Sequence, residues 1–171
     1  MNFTDAKNKF EHYLDGYNRN NDKVHLKIIH TYGVVHDIEE ICHRMALSPE
    51  DTELAKIIAL LHDIGRFEQL KRFDSFEPAT MDHAAYGVQV LFEEGMIRRF
   101  VPENQWDDII RTAIALHSNF KLENISNPRT LLHARLIRDA DKLDNCRVKL
   151  EDDLPVFMGM SGEDIGAQTI T

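Results

Sequence analysis

The residues best suited to chemistry are two neighbours, His62 and Asp63, in the stretch Leu60-Leu61-His62-Asp63-Ile64-Gly65-Arg66. Adjacent residues on an α-helix point about 100° apart, so a His-Asp pair cannot share one face in mid-helix. At a helix end the second residue can leave helical geometry and bring its carboxylate beside the imidazole. The preceding run, Ile57-Ile58-Ala59-Leu60-Leu61, is apolar all round, so the pattern predicts a buried helix end with Gly65 letting the backbone turn away. A carboxylate there needs a cation or several donors. The pair is half of a metal site, and the chain has nine histidines from which the other half can come.

The elements that must position these groups are helices. Strand signals are almost absent, and helical spacing in every informative window predicts an all-α bundle of about six main helices. The first is expected over about residues 4–17, capped by Thr4 or Asp5, with Phe3, Phe10, Tyr13 and Leu14 as apolar contacts. The second, about 22–46, places Val34, Ile38, Ile41 and Met45 on one stripe with His30 at its edge. His36 and His43 fall on the opposite, solvent face among Glu39 and Glu40. Ser48-Pro49-Glu50-Asp51 starts the third helix, with Ser48 capping and the acids meeting the positive end of the helix dipole.

That third helix runs into His62-Asp63. Residues 66–79 are expected to be loop with at most one helical turn, around Phe67 to Lys71, and are broken up by Asp74, Ser75 and Pro78. A fourth helix from near Thr80 to Gly95 carries His83, with Gly87 one turn later leaving room for another backbone. The fifth, about 103–117, delivers His117 at its C-terminal end, before Ser118 and Asn119. The sixth, about 129–149, sets Ala134, Ile137, Asp141, Asp144 and Val148 on neighbouring positions and leaves His133 off that stripe, toward solvent. With no internal repeat or second domain, the chain reads as one domain over 1–171, its core over about 24–150. The stretch 151–171 reads as a mobile tail or as part of a longer natural chain.

The inward candidates are His30, His62, Asp63, His83, His117 and Asp141. Each taken alone reads better as a core polar residue satisfied by a neighbour. Five helices each bringing one into apolar surroundings point instead to a shared cation, because every buried ionisable group needs a partner. Nitrogen and oxygen donors suit Mn, Fe, Co, Ni, Zn or Mg better than a thiolate-loving ion.

Composition narrows the partners. A formal charge of −9 argues against a groove for a nucleic-acid polymer, yet leaves room for a small phosphorylated substrate held by metal and a few basic residues. No apolar run approaches the ~20 residues of a membrane span, and no signal pattern opens the chain. Cys42 and Cys146 are widely separated and read as free buried thiols in a reducing compartment, by default the cytoplasm. Dinucleotide-binding glycines, a P-loop and a serine or cysteine nucleophile signature are all absent.

The order His…His-Asp…Asp, as His30, His62-Asp63 and Asp141, resembles the HD superfamily of metal-dependent phosphohydrolases. The surrounding wording carries the resemblance over about residues 24–150: HTYGVV at His30, LLHDIGRF at the pair, DHAAYGVQVL around His83, AIALHSNF at His117 and RDADKLDN at Asp141. It implies an all-α HD-type bundle with His30, His62, Asp63 and Asp141 as metal ligands. Members with histidines at the positions of His83 and His117 often hold two metals bridged by the pair's aspartate, which would make all six residues ligands. Ser118 follows His117 where the cyclic-dinucleotide phosphodiesterase branch has paired histidines, so a three-metal site is not implied. The set is also similar to the symmetrical dinucleoside-tetraphosphate hydrolase branch.

On this reading Asp63 and Asp141 neutralise one divalent ion, whose water is acidic enough to serve as hydroxide near neutral pH. A second ion on His83 and His117, beside Asp63, would lie ~3.5–4 Å from the first and clamp the phosphoryl oxygens. With one ion only, those histidines become proton donors or phosphate contacts. Asp63, His83 and His117 are thus the candidate catalytic residues. Arg66 is either a substrate phosphate contact or a surface partner of Glu68 or Asp74, and Lys142 either a substrate contact or half of a salt bridge inside the bundle. Lys121 and Arg147 are remoter candidates. The expected activity is hydrolysis of a nucleotide or small phosphoester. The same ligands hold two irons in some HD-fold oxygenases, and a non-catalytic nucleotide-binding module is a third reading.

Overall fold

The structure is a computed structural model and describes residues 1–151; the expected tail lies outside the described residues apart from Glu151. All regular structure among the described residues is helical: α1 (Phe3–Leu14), α2 (Asp22–Arg44), α3 (Pro49–Leu61), α4 (Ile64–Phe73), α5 (His83–Val88), α6 (Ile97–Phe100), α7 (Asp107–Leu116) and α8 (Pro128–Glu151), with a π-helical turn, Gln89–Glu93, continuing α5. The expected all-α architecture is the observed one, and α4 and α6 are additions to the six helices read from sequence.

The two longest helices form the spine. α2 and α8 run side by side in opposite senses: His30 meets Asp141 and Asp144, while Ile41 and Met45 line a groove with Leu131 and Leu132 near the start of α8. α3 packs on α2, and α7 on α8. The core gathers Phe10, Val34, Ile38, Ile57, Leu61, Phe67, Leu91, Ile114 and Ile137 between them. Ser48 caps α3 as expected, its Oγ accepting from Asp51 N at 3.1 Å.

Several expectations need correction. α1 is capped by Asn2, whose side chain accepts from Asp5 N, rather than by Thr4 or Asp5. On α2 the buried stripe is Val34, Val35, Ile38 and Cys42; Ile41 is half-buried and Met45 is 51% exposed, because the end of α2 is covered on one side only. Where a loop with at most one helical turn is expected, α4 runs for ten residues, from Ile64 to Phe73. Gly65 costs a helix about 1 kcal/mol, but burying Phe67 and Leu70 returns about 1.5–3 kcal/mol each, so packing overrides the local signal. α4 stops at Asp74, which takes the left-handed conformation with φ 49°. Cys42 is buried as expected, but Cys146 lies exposed on the outer face of α8.

His133 is the largest correction. It is fully buried, with Nε2 3.0 Å from Asp51 Oδ1, because the start of α3 packs on the flank of α8 that a single-stripe reading assigned to solvent.

Candidate metal centre

His62 and Asp63 sit at the joint between α3 and α4. His62 is the C-cap of α3 and stays helical, whereas Asp63, at φ −105° and ψ 18°, leaves helical geometry. The last carbonyls of a helix have no intrahelical partner. Ala59 O is one of them, and it accepts from His62 Nδ1–H at 2.7 Å. The same device recurs at the end of α7, where the C-cap residue His117 donates from Nδ1–H to Ile114 O at 2.7 Å. Two helix ends therefore fix two imidazoles with Nε2 facing inward.

His30 is fixed differently. Its Nδ1 lies 2.7 Å from Asp144 Oδ2, and Asp144 Oδ1 in turn accepts from Arg147 Nε at 2.8 Å. Room for that carboxylate comes from Gly33, one turn after His30 on α2. His83 opens α5, whose N-cap Asp82 accepts from Ala85 N. α5 approaches α4 closely because Gly65 has no side chain: a Cβ there would lie 2.2 Å from His83 O. Gly65 therefore serves as a contact point within a helix rather than as the turn expected of it. Gly87, across the same crossing, would accept a Cβ at ordinary contact distance.

The six candidates come together as two groups that share Asp63. In the first, Asp63 Oδ2 lies 3.7 Å from His30 Nε2 and 3.6 Å from His62 Nε2, while Asp141 Oδ1 lies 2.9 Å and 3.5 Å from the same two nitrogens. In the second, Asp63 Oδ1 lies 3.4 Å from both His83 Nε2 and His117 Nε2, which are 3.2 Å apart.

These separations fit a divalent ion. Ligand atoms about 2.1 Å from a metal stand about 3.0 Å apart in an octahedron and about 3.4 Å apart in a tetrahedron. Hydrogen bonding points the same way. With Nδ1 committed to Ala59 O, His62 Nε2 faces the carboxylate oxygens of Asp63 and Asp141, and it has no hydrogen-bond partner although fully buried. A cation between them would supply that partner.

The ionisation states follow from these contacts. Burial opposes charge on Asp63, but the Lys27 ammonium beside it leads the groups that hold its carboxyl well below the usual range. Burial likewise opposes charge on Asp141, and His30 and His62 outweigh it. Burial and Lys27 work against a charged His30, while Asp141, Asp144 and Asp63 raise its pKa. For His83, burial dominates and pulls its pKa down to about 3, leaving a neutral imidazole with a lone pair to offer.

The candidate substrate residues divide. Arg66 and Lys142 both line a cavity of about 360 Å³ over the two groups. Arg66 pairs with neither Glu68 nor Asp74; its Nη1 donates to Gln69 Oε1 and Phe76 O, and its buried Nε has no partner. Lys142 is exposed, beside the Phe120 ring. Lys121 is exposed and outside the cavity lining, and Arg147 braces Asp144. His36 and His43 are exposed, as their helix phase predicts.

Sequence reasoning missed Lys27, whose Nζ reaches Asp63 Oδ2 at 2.7 Å, and the bracing role of Asp144. Both lie three residues from a ligand on its own helix, the i,i+3 relation that puts two side chains on one face.

Fold and site together define a helical protein with two groups of His and Asp side chains that could hold a metal ion. Its sequence matches the HD domain family over residues 28–146, more than half of its length, and the chain belongs to that family. No curated protein sequence and no solved structure matches it. HD-domain proteins bind divalent metals, in keeping with the two ligand groups. No described helix is long and apolar enough to cross a membrane.

Proposed function

We propose that this HD-domain protein is a metal-dependent phosphohydrolase acting on a nucleotide or another small phosphoester. One observation carries the reading: the two ligand groups share Asp63 and open onto a cavity whose remaining walls include Lys27, Arg66, Lys142, Ser118 and Asn145. Metal ligands on one side and donors on the other suit phosphoryl transfer, where the protein's task is positioning and stabilising negative charge. At about 360 Å³ the cavity is at the small end of small-molecule sites, which favours a single nucleotide or smaller ester over a polymer.

His30, His62, Asp63 and Asp141 would hold a divalent ion, with or without another on Asp63, His83 and His117, and metal bound there would supply Lewis acidity and an acidified water. The chain's own groups do the rest. Asp144, Ala59 O and Ile114 O set the orientation of three imidazoles. Asn145 Nδ2 donates to Asp141 Oδ1 at 3.1 Å and steadies that carboxylate. Arg66 presents a guanidinium already braced by Gln69 and Phe76, so little side-chain freedom is lost when it meets a phosphoryl oxygen. Lys142 and Ser118, both exposed, meet the outer part of the substrate.

The test is elemental analysis of untreated protein beside a nucleotide and phosphoester screen with added Mn²⁺, Co²⁺ and Ni²⁺. Bound divalent metal and chelator-sensitive release of phosphate are expected. Bound iron with oxygen consumption and no phosphoester turnover would replace the hydrolase with an oxygenase. Tight nucleotide binding without turnover would make the protein a binding module.

A further inference from the structure

We infer that Lys27 is an anion-binding residue of this centre, placed to contact the phosphoryl group as well as Asp63. It lies on α2 three residues before His30, hence on the same face, and only 6% of it is exposed. Its Nζ is 2.7 Å from Asp63 Oδ2 and 5.5 Å from the centre of the Phe76 ring, and its side chain lines the cavity. An ammonium carries three donors. Asp63 takes one and the Phe76 ring covers another side, which leaves donor capacity toward the space a substrate would occupy.

Charge makes the stronger argument. Of the charged groups lining the cavity, Lys27 and Arg66 balance Asp63 and Asp141, and exposed Lys142 adds a further positive charge at the rim. Asp144 is already engaged by His30 and Arg147. Any divalent ion then adds positive charge that the protein does not offset. An ammonium present only to neutralise Asp63 would become redundant beside that ion, at the cost of keeping it buried. The excess calls for an anion with more than one negative charge, such as the terminal phosphoryl group of a monoester or the phosphate released from it. The inference rests on the centre handling a phosphoryl group, as proposed above.

Inorganic phosphate is the probe. Its binding to Mn²⁺-loaded full chain is measured by titration calorimetry for wild type, Lys27→Met and Lys27→Gln, with metal content determined in parallel. Loss of one charge-assisted hydrogen bond predicts binding weaker by about ten- to hundredfold with metal content unchanged. Phosphate affinity within twofold of wild type overturns the inference. So does a metal content that falls in step with phosphate affinity, since Lys27 would then act on Asp63 alone. Lys27→Arg restores the charge and is expected to bind phosphate more tightly than Lys27→Gln; the reverse order also overturns it. Phosphate binding that needs Lys27, in a protein that hydrolyses no phosphoester, would remove the hydrolase and leave this role standing. Hydrolysis indifferent to Lys27 would do the opposite.

Discussion

Gly33 lies against the Asp144 carboxylate so closely that a Cβ on the glycine would stand 2.0 Å from Asp144 Oδ1. A glycine in the middle of α2 is thus the space in which the group orienting His30 sits. Replacing it with alanine sets two effects against each other. Helix propensity gains about 1 kcal/mol, while the carboxylate is displaced from His30. We predict that Gly33→Ala retains its helix content by circular dichroism and loses metal affinity at His30, His62 and Asp141. Wild-type metal content in that variant would refute the bracing role of Asp144.

Gly65 plays the matching part for the second ligand group. Its missing Cβ admits the backbone carbonyl of His83, and a carbonyl cannot swing aside as a side-chain tip can. Gly65→Ala should therefore move the start of α5 and weaken ion binding at His83 and His117. The first ligand group should stay occupied. Where wild type binds two Mn²⁺ ions, titration should show fewer per chain in the variant; an unchanged count of two would mean that α5 yields without moving His83.

Asp63 serves both groups, so its loss is expected to cost every bound ion and all hydrolysis. Asp63→Ala also strands Lys27 in a buried place, and breaking a buried pair destabilises by roughly 3–5 kcal/mol. Most helix content should survive, because the core of the bundle does not pass through this residue. Elemental analysis and urea unfolding read the two effects separately, and retained metal would contradict the site.

His36→Ala and His43→Ala are the controls. Both side chains are exposed on the far face of α2, where substitutions usually change stability by less than about 0.5 kcal/mol. Phosphoester turnover within twofold of wild type is expected, and a large loss from either would place a functional surface where none is proposed.

His133 and Asp51 should make stability fall in acid. Burial lowers the pKa of His133 below the ordinary 6.5 despite its contact with Asp51. As pH drops through about 6.5 the unfolded chain takes up a proton that the folded histidine refuses, so the unfolded state binds more protons and stability falls with pH. Asp51 acts lower on the scale. Burial raises its pKa, but His133, Arg129 and Ser48 bring it below 3.8, so its contribution is lost only as pH falls beneath that value. In urea titrations of metal-free protein, the loss between pH 7.5 and 5.5 should be smaller for His133→Gln than for wild type. Equal losses would show that His133 titrates freely.

Local chemistry alone, read from the residues, reached a long way. Helical periodicity, the Ser48 cap and the apolar run into His62-Asp63 are properties of short stretches, and they suffice for an all-α fold and for a histidine at each of two helix ends. Helix phase separated His36 and His43 from His30 for the same reason, since side chains three or four residues apart share a face wherever the helix lies. Tertiary packing decided the rest. Burial of Phe67 and Leu70 turned an apparent loop into α4, and contact with α3 buried His133 on a flank of α8 that looked free. Lys27 became part of the centre only because α2 crosses the α3–α4 joint there. Which residues share a helical face is settled within a few turns of chain; which faces meet is settled by helices far apart in sequence, and a metal centre assembled from five of them exists only after they have packed.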